Sequence, residues 1–185
     1  MVKIKKSIII FCLSVFHSEI VYSNTIDNSI IVDISEQRLY LYETDILKYS
    51  FPISTSKFGE GSKENSFKTP LGSHEIKEKI GTNVPINTIF IARANTSRKA
   101  TIINKKIDSD DDYVTSRILW LEGLEEGINR GSGVDSYDRY IYIHGTHEEG
   151  LIGQKASHGC IRMFNKDVIY LYDKVKEGTK VYIRA

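Results

Sequence analysis

The sequence predicts a mainly-β fold, a sandwich or barrel with long loops and one helix in its C-terminal region. Three observations carry this prediction. Short runs of β-branched and aromatic residues recur along the chain. Only one stretch, after Asn165, has a clear helical period. Strands and helices do not alternate as a parallel βαβ sheet would require.

Ile30 to Ile34 and Arg38 to Tyr42 read as two strands joined at Ser35-Glu36-Gln37, a hairpin. Leu47 to Ser54 is a third strand. Thr55 to Gly72 carries Gly59, Gly61, Pro70 and Gly72 among Ser, Thr and Lys, so it reads as a long connection of the kind that often serves function. Ile86 to Ala92 and Arg117 to Leu121 are further strands. Between them Asp108, Asp110, Asp111 and Asp112 lack the glycine and distal glutamate of a calcium loop, and a solvated loop is expected. Glu122 to Asp138, with four glycines, reads as a second long loop. Arg139 to His144 alternates as a strand, placing Tyr140, Tyr142 and His144 on one face. Asn165 is the expected helix N-cap, with Asp167 in the first turn. Val168, Leu171, Tyr172 and Val175 form the apolar stripe, Gly178 the stop, and Lys180 to Arg184 a closing strand.

The full sequence has 185 residues, 41% apolar and 26% charged, which suits a folded domain with a real core. A net charge of +1 gives no broad attraction to nucleic acid or anionic lipid. Lys3, Lys5 and Lys6 precede the apolar run Ser7 to Phe16, which is too short to span a bilayer and reads as a signal peptide cut after Ser23. On that reading residues 1–23 are lost and 24–185 form one domain of 162 residues. It would be exported and would have no membrane span. The cut removes Lys3, Lys5, Lys6 and Glu19, so the charge falls from +1 to −1. It also removes Cys12, leaving Cys160 as one thiol that cannot form an internal disulfide.

The densest polar cluster is His144-Gly145-Thr146-His147 followed by Ser157-His158-Gly159-Cys160-Ile161-Arg162. A thiol attacks as thiolate, and an imidazole within reach can take its proton. His144 at a strand end and Cys160 beyond a 15-residue loop can meet in space. Amides around Gly159 and Cys160 could receive an oxyanion. His158 is a second base or a substrate contact, and Arg162 could hold a substrate carboxylate or form a structural ion pair. His147 reads as a loop residue, and His74, with no partner in sequence, as a surface one. Zinc on His144, His147, His158 and Cys160 is a rival, although the spacing matches no usual zinc pattern. A buried, inert cysteine is the third reading that spacing leaves open.

The run His144-Gly145-Thr146, Ile152-Gly153 and Ala156-Ser157-His158-Gly159-Cys160-Ile161-Arg162-Met163 resembles the signature of the bacterial L,D-transpeptidase catalytic domain, the YkuD-type family. Ser54-Thr55-Ser56, Thr69-Pro70-Leu71-Gly72 and the segments around Arg117 to Gly123 and Asp135 to Thr146 follow in the family's order, so the resemblance runs from about Ile30 to Arg184. It implies a mainly-β enzyme that needs no cofactor or metal and acts on peptidoglycan stem peptides in the periplasm or cell-wall space. By position, Cys160 would be the nucleophile and His144 its base, oriented by a main-chain carbonyl just after it. Gly145, Ser157, His158, Gly159 and Arg162 would shape the substrate and oxyanion site. The implied reaction expels D-Ala from a tetrapeptide stem and passes the diaminopimelate acyl group to an amine, a 3→3 cross-link, or to water. Many relatives carry Asn where this chain has Arg162, and many carry a wall-binding module for which this length leaves no room.

Overall fold

The computed structural model describes residues 27–185; the expected signal segment and Cys12 lie outside the described residues. Ten strands follow in the order β1 (Asn28–Asp33), β2 (Arg38–Glu43), β3 (Ile46–Ser54), β4 (Gly72–Ile80), β5 (Thr88–Ile91), β6 (Ala94–Lys99), β7 (Val114–Gly123), β8 (Tyr142–Thr146), β9 (Ile161–Met163) and β10 (Lys180–Arg184). The helix α1 (Asn165–Lys174) lies between β9 and β10. The spatial order is β4-β10-β1-β2-β3-β9-β8-β7-β5-β6, and β4 also pairs with β7. That pairing closes the sheet into a barrel from which the β5–β6 hairpin projects. Most pairs are antiparallel; β1–β10 and β8–β9 are parallel. The mainly-β expectation therefore holds, in its barrel form.

Alternation explains the core. Ile30 and Val32 on β1, Leu39 and Leu41 on β2, and Val181 and Ile183 on β10 all point inward and are buried. They meet Ile76, Leu119, Leu121, Ile143, Ile161 and Met163 in one cluster, sealed by Val168, Leu171 and Tyr172 of α1. The stripe at i, i+3 and i+4 is thus the buried face of the helix, as its period predicts. A second cluster of Phe90, Ile118, Trp120 and Tyr142 lies next to Cys160. Trp120 stacks on Tyr137 at 4.0 Å between ring centroids.

Four local expectations change. Strands β4 and β6 were not apparent in the sequence, because β4 (GSHEIKEKI) and β6 (ANTSRK) are too polar to stand out as apolar runs. Asn165 is the first residue of α1 rather than its cap, which is Phe164. Its buried side chain donates to the Thr146 carbonyl (2.7 Å) and accepts from Thr115 and Ser116, tying the helix start to β7 and β8. Glu149 supplies the capping acceptor, 2.8 Å from the Asn165 amide. His74 is fully buried, not at the surface. Its Nδ1–H donates to the Gly72 carbonyl (3.0 Å), so Nε2 accepts from the Ser136 hydroxyl at 2.9 Å.

The expected strand from Arg139 begins at Tyr142. Tyr140 interrupts it with φ +57°, in the left-handed region, and this turn matters for the site. Among the described residues no helix is long and apolar enough to cross a membrane.

Candidate active site

Parallel strands β8 and β9 bring the candidate residues side by side. His144 pairs in register with Arg162, and Cys160 immediately precedes β9. The two residues thus reach the same end of the barrel although a 15-residue loop separates them. His144 is 2% exposed, and its Nδ1–H donates to the Gly145 carbonyl at 2.8 Å. A carbonyl can only accept, so the proton is fixed on Nδ1 and the Nε2 lone pair is free to take another. Burial pushes the imidazole pKa down to about 4, against a smaller opposing pull from Asp112. The ring is neutral at pH 7.

The Cys160 thiol is held by the Tyr140 turn. Its Sγ–H donates to the Tyr140 carbonyl (3.3 Å), and Sγ accepts the Tyr142 N–H (3.4 Å). Left-handed Tyr140 therefore aims its carbonyl at the sulfur. Burial pushes the thiol up to about 12, while the Tyr142 amide, Arg162 and Arg139 pull it the other way. The resting pair is a neutral thiol and a neutral imidazole. Deprotonation has to accompany attack.

The turn before Cys160 is tightly stapled. Ser157 is buried; its hydroxyl donates to the Cys160 carbonyl (2.6 Å) and accepts the Gly159 N–H (3.3 Å). Gly159 has φ +121°, a conformation glycine reaches without strain, and its carbonyl accepts from Thr69 at 3.0 Å. The long Thr55 to Gly72 connection is ordered against this turn: the Ser157 amide donates to Thr55, and the Lys57 amide donates to Ser157. Gly145 cannot carry a side chain. A Cβ there would sit 2.6 Å from Asn165 Oδ1 and 2.7 Å from the Thr115 carbonyl.

Arg162 differs from a substrate contact. It is 1% exposed, with one nitrogen 2.8 Å from Glu148 and the other 2.7 Å from Asp112. Its fork is committed to carboxylates of the protein. Glu148 is equally buried and also accepts from the Ser109 amide and hydroxyl at 2.5 and 2.7 Å. His158 does not share a strand face with Cys160, since β9 starts only at Ile161. Instead its Nδ1 lies 2.9 Å from Asp112, and its ring meets Phe58 and Phe67 at 5.8 and 6.0 Å. His147 is buried against Tyr113 and contacts Ser109 rather than the thiol.

Asp112, Glu148, Arg139 and Tyr140 were not singled out from the sequence. The aspartate run could have signalled Asp112, but its solvated-loop reading hid that this residue, although still exposed, reaches Arg162 and His158. Burial pushes its carboxyl up, yet Arg162 and the nearby histidines outweigh this and hold it below the usual range. Asp108 stays outside, paired with Lys57 at 2.8 Å. Among the described residues no group of three or more His, Cys, Asp or Glu is placed to hold a metal ion.

The family model of the L,D-transpeptidase catalytic domain matches residues 27–183. The chain belongs to the L,D-transpeptidase catalytic-domain family. It is similar to the probable L,D-transpeptidase ErfK/SrfK of Escherichia coli K12, with 29% identity over 89% of this chain and 46% of the relative. The Salmonella typhimurium protein of the same name is 26% identical over 89% of this chain and 47% of the relative. This chain therefore spans about half the length of those curated relatives. Among solved structures, L,D-transpeptidase 3 from Mycobacterium tuberculosis with a faropenem-derived adduct aligns with TM-score 0.53 and 16% identity. The match covers 86% of this chain and 61% of that one. At this identity the likeness establishes the fold: an L,D-transpeptidase barrel.

Proposed function

We propose that this L,D-transpeptidase-family protein is an exported cysteine acyltransferase that cross-links peptidoglycan stem peptides. The observation that carries the reading is the His144 tautomer. With Nδ1–H locked on Gly145, Nε2 is a neutral acceptor on the strand beside the nucleophile. His144 Nε2 takes the Cys160 proton as Sγ attacks the carbonyl at the L-centre of diaminopimelate in a tetrapeptide stem. The Tyr142 N–H steadies the sulfur, and the Cys160 amide is the candidate oxyanion donor. Gly159, whose N–H is turned to Ser157, shapes that hole rather than donating to it. The C–N bond then breaks, the imidazolium returns its proton to the departing D-Ala amine, and a thioester remains. An amine of a second stem attacks the thioester and loses a proton to His144, forming the 3→3 amide and regenerating the thiol. His158, on the rim, is the substrate-facing histidine.

Purified protein incubated with disaccharide-tetrapeptide is expected to give an acyl adduct on Cys160 and a cross-linked dimer, both read by mass spectrometry. Cys160→Ala should abolish the adduct and lower turnover by about 10⁴-fold or more. His144→Gln should cost about 10²–10⁴-fold. Full activity in Cys160→Ala would overturn the reading. Trimmed tripeptide without dimer would replace the amine acceptor with water.

A further inference from the structure

A concavity of about 180 Å³ opens at the Tyr140 turn that holds the Cys160 thiol, its lining including Glu64, Phe67, Asp138, Arg139, Tyr140 and His158. Its charges are not paired with one another. Arg139 is half-buried, and its guanidinium donates only to main-chain carbonyls, Lys68 at 2.7 Å and Gly61 at 3.4 Å. Among the described residues it has no carboxylate within ion-pair distance. Glu64 and Asp138 are exposed at the same mouth and are likewise in no ion pair there. A half-buried cation satisfied only by neutral carbonyls keeps its net charge in a poorly solvated place, and a carboxylate repays that cost. Tyr140 lines the same concavity and its carbonyl meets the Cys160 thiol at 3.3 Å, so the cation shares a pocket with the turn that holds the sulfur.

We propose that Arg139 anchors a substrate carboxylate in this pocket, with Glu64 and Asp138 receiving the ammonium next to it. The pocket so read takes an α-amino-acid zwitterion. It takes over the carboxylate-binding role that the sequence suggested for Arg162, whose fork is spent inside the protein. Resting on the transpeptidase reading, the ligand is the free D-centre of diaminopimelate. That end of the side chain carries a carboxylate and an ammonium on one carbon. The terminal D-Ala offers a carboxylate alone and leaves the two acids unused.

Binding and turnover separate this inference from the reading beneath it. Calorimetry would use Cys160→Ala protein, which cannot turn over, with three tetrapeptides: unmodified, amidated at the diaminopimelate D-centre carboxyl, and amidated at the D-Ala carboxyl. The D-centre amide is expected to bind about tenfold or more weakly, and the D-Ala amide within about twofold of the parent. Adding Arg139→Gln should weaken the unmodified peptide by a similar factor and leave the D-centre amide unchanged. Arg139→Lys should recover part of the loss. Equal weakening of all three peptides by Arg139→Gln, or sensitivity to the D-Ala amide instead, overturns the assignment. So does the absence of measurable binding by the unmodified peptide. Selective binding without turnover by the Cys160 protein would keep the pocket and sink the transpeptidase reading. Thermal unfolding of each variant distinguishes lost recognition from lost fold.

Discussion

Replacing Arg162 by asparagine is expected to lower folding stability by about 3–5 kcal/mol, the usual cost of breaking a buried ion pair from one side. The site has the features that make such a loss large. Arg162 and Glu148 are each 1% exposed, 2.8 Å apart, so removing the cation strands a carboxylate that water cannot reach. Asp112 loses its partner too, but at 38% side-chain exposure it can rehydrate and adds little. Arg162→Lys should rescue only part of the loss, because an ammonium cannot reach two carboxylates from opposite ends of a planar fork. Arg162→Met with Glu148→Gln should recover most of it. The amide stays as an acceptor for the Ser109 N–H and hydroxyl while the buried charge is gone. Urea unfolding at constant m reads the stability change directly. Local loosening has its own readout. Ser109 and Asp112 pin the segment between β6 and β7 to Arg162 and Glu148, so trypsin should cut at Lys105 and Lys106 faster in Arg162→Asn. A variant as stable and as resistant as the parent would remove Arg162 from this structural role.

That role marks where sequence reasoning ended. The candidate pair Cys160 and His144 was legible because a strand, a cysteine preceded by glycine and an upstream histidine form a local pattern. The helix and the hairpin of β1 and β2 were legible for the same reason, since period and turn chemistry are properties of neighbouring residues. Arg162 was legible only as a fork in search of a carboxylate. Its partners lie 14 and 50 residues away, on a loop and a strap with no apolar period to place them. His74 was misplaced at the surface by the same limit: the hydroxyl that donates to it is that of Ser136, 62 residues distant, brought there by the β4–β7 pairing. Strand β4 itself was missed because one of its faces meets solvent, so Glu75, Lys77 and Lys79 dilute the pattern.

Acidification from pH 7 to pH 4 is expected to remove about 6 kcal/mol of stability, roughly 3 from each of two histidines. His74 and His144 are both held neutral by burial, with pKa values pushed from 6.5 down to about 4. In the unfolded chain each binds a proton near 6.5, so between 6.5 and 4 the unfolded state carries more protons and stability falls as pH falls. Above 6.5 the contribution is complete; below 4 it is gone. His147, also shifted down by burial, acts in the same direction. Asp112 and Asp33, held below their ordinary range, extend the loss below pH 4 rather than opposing it. Urea midpoints measured from pH 7 to 4.5 should therefore drop steeply, and His74→Gln should flatten the slope while lowering the starting value. A stability that stays flat over this range would mean that the two rings are solvated. Activity should not follow the same curve. His144 remains an unprotonated base down to about pH 4, so turnover per folded molecule should hold to about pH 5. The acid limb of the observed rate then reports unfolding, and a stabilising osmolyte should move it to lower pH.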